Sequence, residues 1–157
     1  MANSWRGMMN GILERTGELW LQWERFASGG RTVLAVTRDC RCKTSLHILS
    51  LEQGWRILFA ESLEDGLRLE HTNRICVLIY DRDLTGVEWR EGLRALLSSD
   101  EPLLPIVISD APSAELRSEV IDNGGFDLAR NPLEPDCFVA LVNGALALAE
   151  SIDSLES

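Results

Sequence analysis

From residue 31 onward, five short apolar runs alternate with longer amphipathic stretches, and few folds fit this alternation. The apolar runs predict strands at residues 32–36, 56–60, 75–80, 104–109 and 126–129. The stretches between and after them predict helices at residues 41–53, 62–72, 87–98, 113–123 and 135–152. Strands that are apolar on both faces and are joined by helices form a parallel sheet with helices on each side.

Five strands are too few for a closed eight-stranded barrel, so the prediction is an open, doubly wound α/β sheet. Right-handed crossovers favour the strand order 2-1-3-4-5. Ligands of such sheets bind beyond the carboxyl ends of the strands, at the switch point between strands 1 and 3. Thr37, Arg38 and Asp39 follow the first strand and Asp81 to Asp83 follow the third, without a glycine-rich phosphate loop at either place.

A separate pattern precedes the α/β region. Residues 4–27 contain no proline and place apolar side chains at heptad spacing, which predicts an extra N-terminal amphipathic helix. The helix is expected to form a homodimer through Trp5, Ile12, Leu19, Trp23 and Phe26. Packing of this stripe against the chain's own sheet is the alternative. The expected organisation is a helix and glycine linker at 1–30, the α/β domain at 31–150 and an acidic tail at 151–157.

The charge of the chain limits its partners. It has 15 Lys and Arg against 25 Asp and Glu, a net charge of −10 that opposes binding to nucleic acid or to anionic membranes. No apolar run is expected to be long enough to span a membrane, so the prediction is a cytoplasmic protein. Its cysteines are expected to be reduced thiols without a metal: Cys40, Cys42, Cys76 and Cys137.

The stretch from Val77 to Gly86 is an apolar strand that ends in Asp81 and continues with Leu84 two residues before the glycine. This stretch resembles the response-regulator receiver (CheY-like) domain, and the resemblance continues through residues 105–108, 123–127 and 131–135 to cover about residues 31–150. It implies the flavodoxin-like receiver fold. It also makes Asp81 the candidate phospho-acceptor, since the family's strand-3 aspartate accepts a phosphoryl group.

The other pocket positions depart from the family. The acidic pair that holds Mg²⁺ in receivers falls on Thr37 and Arg38, the phosphoryl-binding Ser or Thr falls on Asp110, and the Lys before the proline falls on Asn131. The resemblance therefore implies a degenerate phosphorylation site, or pseudo-receiver, without a cofactor. Arg38 is expected to replace the metal by pairing with Asp81 and Asp110. A one-residue slip of strand 1 would instead bring in Asp39 as a metal ligand, with Asp83 as a second.

These features predict a stand-alone signalling protein of the two-component or phosphorelay type that is not an enzyme and acts through protein contacts without phosphorylation. A histidine kinase or a signalling complex is the expected kind of partner, and residues 126–146 are the expected contact surface because receivers generally use this region for output. Two alternatives stay open. One is an active phospho-receiver that takes phosphate on Asp81 with Mg²⁺, and the other is a small-molecule sensor that binds its ligand in the switch-point crevice.

Overall fold

The structure of the protein is a computed structural model, and it describes residues 32–98 and 101–156, the last four of these by backbone alone. The predicted N-terminal helix and its contact residues Trp5, Ile12, Leu19, Trp23 and Phe26 lie outside the described residues. Five strands and five helices alternate along the described chain. They are β1 Thr32–Val36, α1 Cys40–Gln53, β2 Arg56–Ala60, α2 Leu63–Thr72, β3 Val77–Asp81, α3 Trp89–Leu96, β4 Leu104–Ser109, α4 Ala114–Asp122, β5 Asp127–Arg130 and α5 Pro135–Glu156.

All five strands are parallel and lie in the order β2-β1-β3-β4-β5, which confirms the predicted topology. The register between β1 and β3 places Val36 opposite Tyr80. Thr37 and Asp81 are therefore the next residues on two neighbouring strands at the carboxyl edge of the sheet. This register brings the two side chains together at that edge.

Side chains of each strand alternate between two apolar layers. Val33 and Ala35 of β1 pack in the layer covered by α1 and α5, where Leu46, Phe138 and Val142 are buried. The other layer lies under α2, α3 and α4. Its central strand residues are Leu34, Val36, Leu78 and Tyr80, and the helices contribute Leu93, Leu96, Leu116 and Val120.

The helix ends follow from local capping. Ser62 and Ser113 accept hydrogen bonds from backbone N–H groups three residues later and begin α2 and α4. Glu88 accepts from the N–H groups of Arg90 and Glu91, so α3 begins at Trp89 rather than at the predicted residue 87. Gly54, with φ of 77°, ends α1 in the left-handed conformation.

The last helix, α5, differs most from the prediction. It continues to Glu156, four residues beyond the predicted end, and takes in most of the expected acidic tail. Contrary to the expectation of no such run, residues Pro135–Ile152 are long and apolar enough to cross a membrane by length and composition alone. One side of the helix packs on the sheet through Phe138, Val142 and Leu146, and 28% of the Pro135–Ile152 window is buried.

Candidate functional site

A cleft of about 660 Å³ opens at the carboxyl edge of the sheet, between the ends of β1, β3, β4 and β5. This is the switch-point position that the topology predicts. The lining includes every pocket position singled out from the sequence except Thr37, which is fully buried beneath it. The lining residues are Arg38, Asp39, Arg41, Cys42, Ser45, Asp81, Asp83, Leu84, Thr85, Asp110, Asn131, Pro132 and Leu133.

Asp81 ends β3 and is buried, with 7% of its surface exposed. Its Oδ2 accepts a 2.7 Å hydrogen bond from the Thr37 hydroxyl group, and its Oδ1 accepts a 2.9 Å hydrogen bond from the backbone N–H of Asp83. Both carboxylate oxygens are therefore bonded to donors of the protein itself. Among residues 32–98 and 101–156, these donors are neutral groups and no Lys or Arg side chain forms an ion pair with Asp81.

Thr37 is fixed in the orientation that makes it a donor to Asp81. The backbone N–H of Asp39 donates to Thr37 Oγ1 over 3.1 Å, so this oxygen is an acceptor on one side and its proton points to the carboxylate on the other. The backbone N–H of Thr37 in turn donates to the carbonyl oxygen of Ala60 on β2. From the sequence, Thr37 is predicted only as a position where a metal-binding carboxylate is lost, whereas in the structure it is the hydrogen-bond partner of Asp81.

The predicted ion pairs of Arg38 are wrong. Arg38 is exposed and its Nη1 donates a 3.3 Å hydrogen bond to the Thr85 hydroxyl group, and among the described residues it forms no ion pair with Asp81 or Asp110. Arg38 does not reach Asp81 because of the direction of the chain after β1. The side chain of Thr37 points inward beside Asp81, so the side chain of the next residue, Arg38, points outward. The register of β1 is the predicted one, with no slip.

Asp39 reaches the cleft without the slip, as the residue that caps α1. Its Oδ1 accepts from the N–H of Arg41 and its Oδ2 accepts from Nδ2 of Asn131, each over 3.0 Å. The hydrogen bond from Asn131 is the main cause that holds the pKa of Asp39 below its ordinary value. Asn131 thus joins the β5 loop to the start of α1 and brings no positive charge to the site.

Two further carboxylates lie at the mouth of the cleft. Asp83 is exposed and pairs with Arg82 over 3.6 Å, while burial and the charges of Asp110 and Asp81 raise its pKa. Asp110 is exposed on the far side. Ser109, one residue earlier, accepts from the N–H of Ala111, but it is fully buried and is not among the residues that line the cleft, so its hydroxyl group does not replace the expected phosphate-binding group.

The residues do not fit Mg²⁺ as the receiver family holds it. Mg²⁺ takes carboxylate oxygens and water, whereas the positions of the family's acidic pair are a hydroxyl group and an exposed guanidinium group here. Within residues 32–98 and 101–156, no three His, Cys, Asp or Glu side chains cluster closely enough to hold a metal ion. Cys42 adds no ligand, because burial and the charges of Asp39 and Asp81 raise the pKa of its thiol to about 12.

Comparison with known proteins agrees with the fold. No protein-family model matches the chain. It is 27% identical over 120 residues to the transcriptional regulatory protein AfsQ1 of Streptomyces coelicolor, an alignment that covers 76% of this chain and 52% of that protein. The chain thus spans about half the length of this curated relative.

Solved structures give the same result. A CheY-like response regulator receiver domain protein from Methanospirillum hungatei JF-1 superposes with a TM-score of 0.70 at 17% identity, covering 77% of this chain and 97% of that one. A response regulator receiver domain protein from Clostridium thermocellum superposes with a TM-score of 0.68 at 20% identity, covering 77% and 98%. The described part of the chain has the fold of a response-regulator receiver domain.

Proposed function

We propose that the chain is a receiver-like signalling module of the two-component type whose working state does not require a phosphoryl group on Asp81. The observation that carries this proposal is the hydrogen bonding of Asp81 to neutral donors, with the Thr37 hydroxyl group on one oxygen and the N–H of Asp83 on the other. Each carboxylate oxygen has two lone pairs, so these hydrogen bonds leave a lone pair on each oxygen and do not block attack on phosphorus. They do place neutral donors on the carboxylate, whereas phosphoryl transfer depends on a cation beside the acceptor.

The surrounding charges support the same conclusion. Phosphoryl transfer depends on cations that neutralise the charge developing on the transferred group. Asp110 and Asp83 line the cleft, and carboxylates repel the oxygens of a phosphoryl donor, while the guanidinium groups of Arg38 and Arg41 in the same lining belong to exposed residues. The amide of Asn131 is bonded to Asp39, and the Arg38 guanidinium group is bonded to Thr85.

Output through protein contacts follows from the rest of the chain. The net charge of −10 disfavours nucleic acid, and the described residues use one receiver-like domain without a second module. The partial likeness to a transcriptional regulatory protein supports a regulatory role. We place the chain among non-enzymatic signalling proteins, with a histidine kinase or another signalling protein as the partner class.

Phosphoryl uptake tests this proposal. The full chain and its Asp81→Asn variant are incubated with acetyl phosphate and Mg²⁺, and intact mass is followed over time. The expected result is the same unmodified mass for both proteins. Uptake of one phosphoryl group by the wild type that is absent from Asp81→Asn would overturn the proposal and favour an active phospho-receiver.

The cleft supports a second candidate, a sensor of a small molecule. Its volume of about 660 Å³ lies within the roughly 300–1,000 Å³ that is usual for ligand sites. The exposed guanidinium groups of Arg38 and Arg41 at its rim suit a small anionic ligand. A thermal-shift screen of small carboxylates and phosphates tests it: a hit must raise the melting temperature of the wild type and lose this effect in Arg38→Ala/Arg41→Ala.

A further inference from the structure

The outward side of α5 is unusually apolar for an exposed helix face. Between Cys137 and Ala149 the helix has no charged residue, although half of these positions are exposed. The exposed residues that form this outward face are Ala140, Gly144, Ala147, Leu148 and Ser151. Surface helices normally carry charged and polar side chains opposite the core. A helix that is apolar on both sides is typical of one that is covered on both sides.

The neighbouring helix continues this surface. Among the described residues five large apolar side chains are exposed, and three of them lie on α1 and α5: Ile48 (52%), Leu51 (48%) and Leu148 (42%). The two helices cover the same face of the sheet and are joined by Asn143, which donates to Gln53 Oε1 and accepts from Trp55 Nε1. The outward sides of α1 and α5 therefore form one surface, named here the α1/α5 face.

The small residues of this face suit a helix as the covering element. Alanine, glycine and serine allow the backbone of a second helix to approach closely, and a Cβ atom placed on Gly144 would meet no atom within 4 Å. The larger side chains Leu148, Ile48 and Leu51 flank them. Among residues 32–98 and 101–156, nothing covers the small residues.

The sequence supplies a segment of the right length and pattern. Residues 4–27 carry an apolar stripe, and a helix of 24 residues would be about 36 Å long against about 33 Å for the 22 residues of α5, at about 1.5 Å per residue. The charge of the segment does not oppose this packing. Residues 4–27 hold three Arg and three Glu, a net of 3 − 3 = 0, whereas α5 holds four acidic residues and no basic one.

The chain path brings this segment to the α1/α5 face. Both helices follow parallel strands and therefore end at the amino edge of the sheet, where β1 begins at Thr32. Only residues 28–31 separate the segment from β1, and four residues reach at most about 14 Å. A segment tethered so closely has a high effective concentration at this face.

We propose that residues 4–27 of the same chain pack as a helix on the α1/α5 face, with Leu19, Trp23 and Phe26 turned toward it. Docking in cis covers the outward side of α5. The proposal does not depend on whether Asp81 is phosphorylated.

Thiol labelling of the full chain tests it. A reporter cysteine is placed on the face by Ala147→Cys, with Cys40→Ser and Cys137→Ser to remove the exposed native thiols. The rate of labelling is compared between the native segment and one carrying Leu19→Asp and Trp23→Asp. The control reporter is Ile121→Cys, which is exposed on α4 across the sheet.

We expect the protein to be a monomer in light scattering. The Ala147→Cys thiol should react about tenfold faster when the segment carries the two aspartates than when the segment is native. The Ile121→Cys thiol should react at the same rate with either segment. The unchanged control also shows that the domain stays folded. Equal rates at Ala147→Cys would overturn the proposal. A dimer that loses protection on dilution would also overturn it, since a second copy would then cover the face.

Discussion

The hydroxyl group of Thr37 donates a 2.7 Å hydrogen bond to Oδ2 of Asp81, the carboxylate that the receiver fold places at its phospho-acceptor position. Both residues are buried, and they stand side by side because β1 and β3 are neighbours in register. A neutral donor therefore satisfies this carboxylate. The pair links the fold to the proposed loss of phosphorylation.

Removing the hydroxyl group should destabilise the protein. Thr37→Val keeps the shape of the side chain but leaves Asp81 Oδ2 and the N–H of Asp39 without their partner, so the free energy of unfolding should fall by about 1–3 kcal/mol. Urea denaturation measures the change. Thr37→Ser is the matched control and should keep most of the stability. Equal stability of all three proteins would show that the hydrogen bond contributes nothing.

Asn131→Ala should weaken the protein in a pH-dependent way. The Asn131 amide holds the pKa of Asp39 below its ordinary value of 3.8, so this stabilisation is present above that pH and is lost as the pH falls through the folded-state pKa. The variant should lose about 0.5–1 kcal/mol at about pH 7, because the contact is partly exposed. Urea denaturation should show the difference shrinking toward about pH 3. A free-energy difference between Asn131→Ala and the wild type that stays the same at every pH would contradict the role of Asn131 in lowering the pKa of Asp39.

Glu70→Gln should stabilise the protein at neutral pH. One oxygen of Glu70 is buried with no hydrogen-bond partner among the described residues, and burial raises the pKa of this carboxyl group from 4.5 to about 7. A raised folded-state pKa means that stability is full below about pH 4.5 and falls as the pH rises through about 7. After allowance for solvent screening, the gain at about pH 8 should be on the order of 1 kcal/mol.

The control for this pH profile is Glu64→Gln, which changes an exposed residue of the same helix. Thermal melts of the three proteins between about pH 4 and pH 8 should show Glu70→Gln separating from the wild type only as the pH rises. A difference in melting temperature between Glu70→Gln and the wild type that grows as the pH falls would contradict the raised pKa of Glu70. A Glu64→Gln profile equal to that of Glu70→Gln would remove burial as the cause.

Tyr80 and Gly92 should behave as a coupled pair. A Cβ atom at Gly92 would lie 2.9 Å from Cζ of the fully buried Tyr80 and closer still to its hydroxyl group, so Gly92→Ala should cost about 1–3 kcal/mol. The Tyr80 hydroxyl group has no partner among the described residues, so Tyr80→Phe alone should be nearly neutral. In a double-mutant cycle, Tyr80→Phe should recover part of the cost of Gly92→Ala. Stability costs of Gly92→Ala and Tyr80→Phe that simply add in the double variant would contradict the close contact between residues 80 and 92.

Much of the fold could be predicted because apolar runs in the sequence mark the strands. The strands at residues 32–36, 56–60 and 104–109 have the predicted bounds, since each is an apolar run that a polar residue follows directly. Asp81 could be placed at the end of β3 for the same reason. The bounds of β3 and β5 differ from the prediction: β3 begins two residues after the predicted start and β5 begins one residue after it. In each case the residue just before the strand, Cys76 or Phe126, already donates its N–H to a residue of the neighbouring strand.

The side-chain geometry of the site could not be predicted in this way. Charge alone suggested that Arg38 pairs with Asp81, but the direction of a side chain after a strand depends on the backbone turn, which turns Thr37 inward and Arg38 outward. The hydrogen bond between Asn131 and Asp39 joins residues 92 positions apart. No local pattern marks such a contact.

The most direct measurement is phosphoryl uptake from acetyl phosphate and Mg²⁺ by the wild type and by the variant Thr37→Asp/Arg38→Asp, followed side by side by intact mass. The variant replaces the Thr37 donor with a carboxylate and restores an acidic pair beside Asp81, which gives Mg²⁺ the oxygen ligands that the wild type lacks. We expect Mg²⁺-dependent uptake of one phosphoryl group by the variant and none by the wild type. Equal uptake by both proteins, lost in Asp81→Asn, would contradict the inert site.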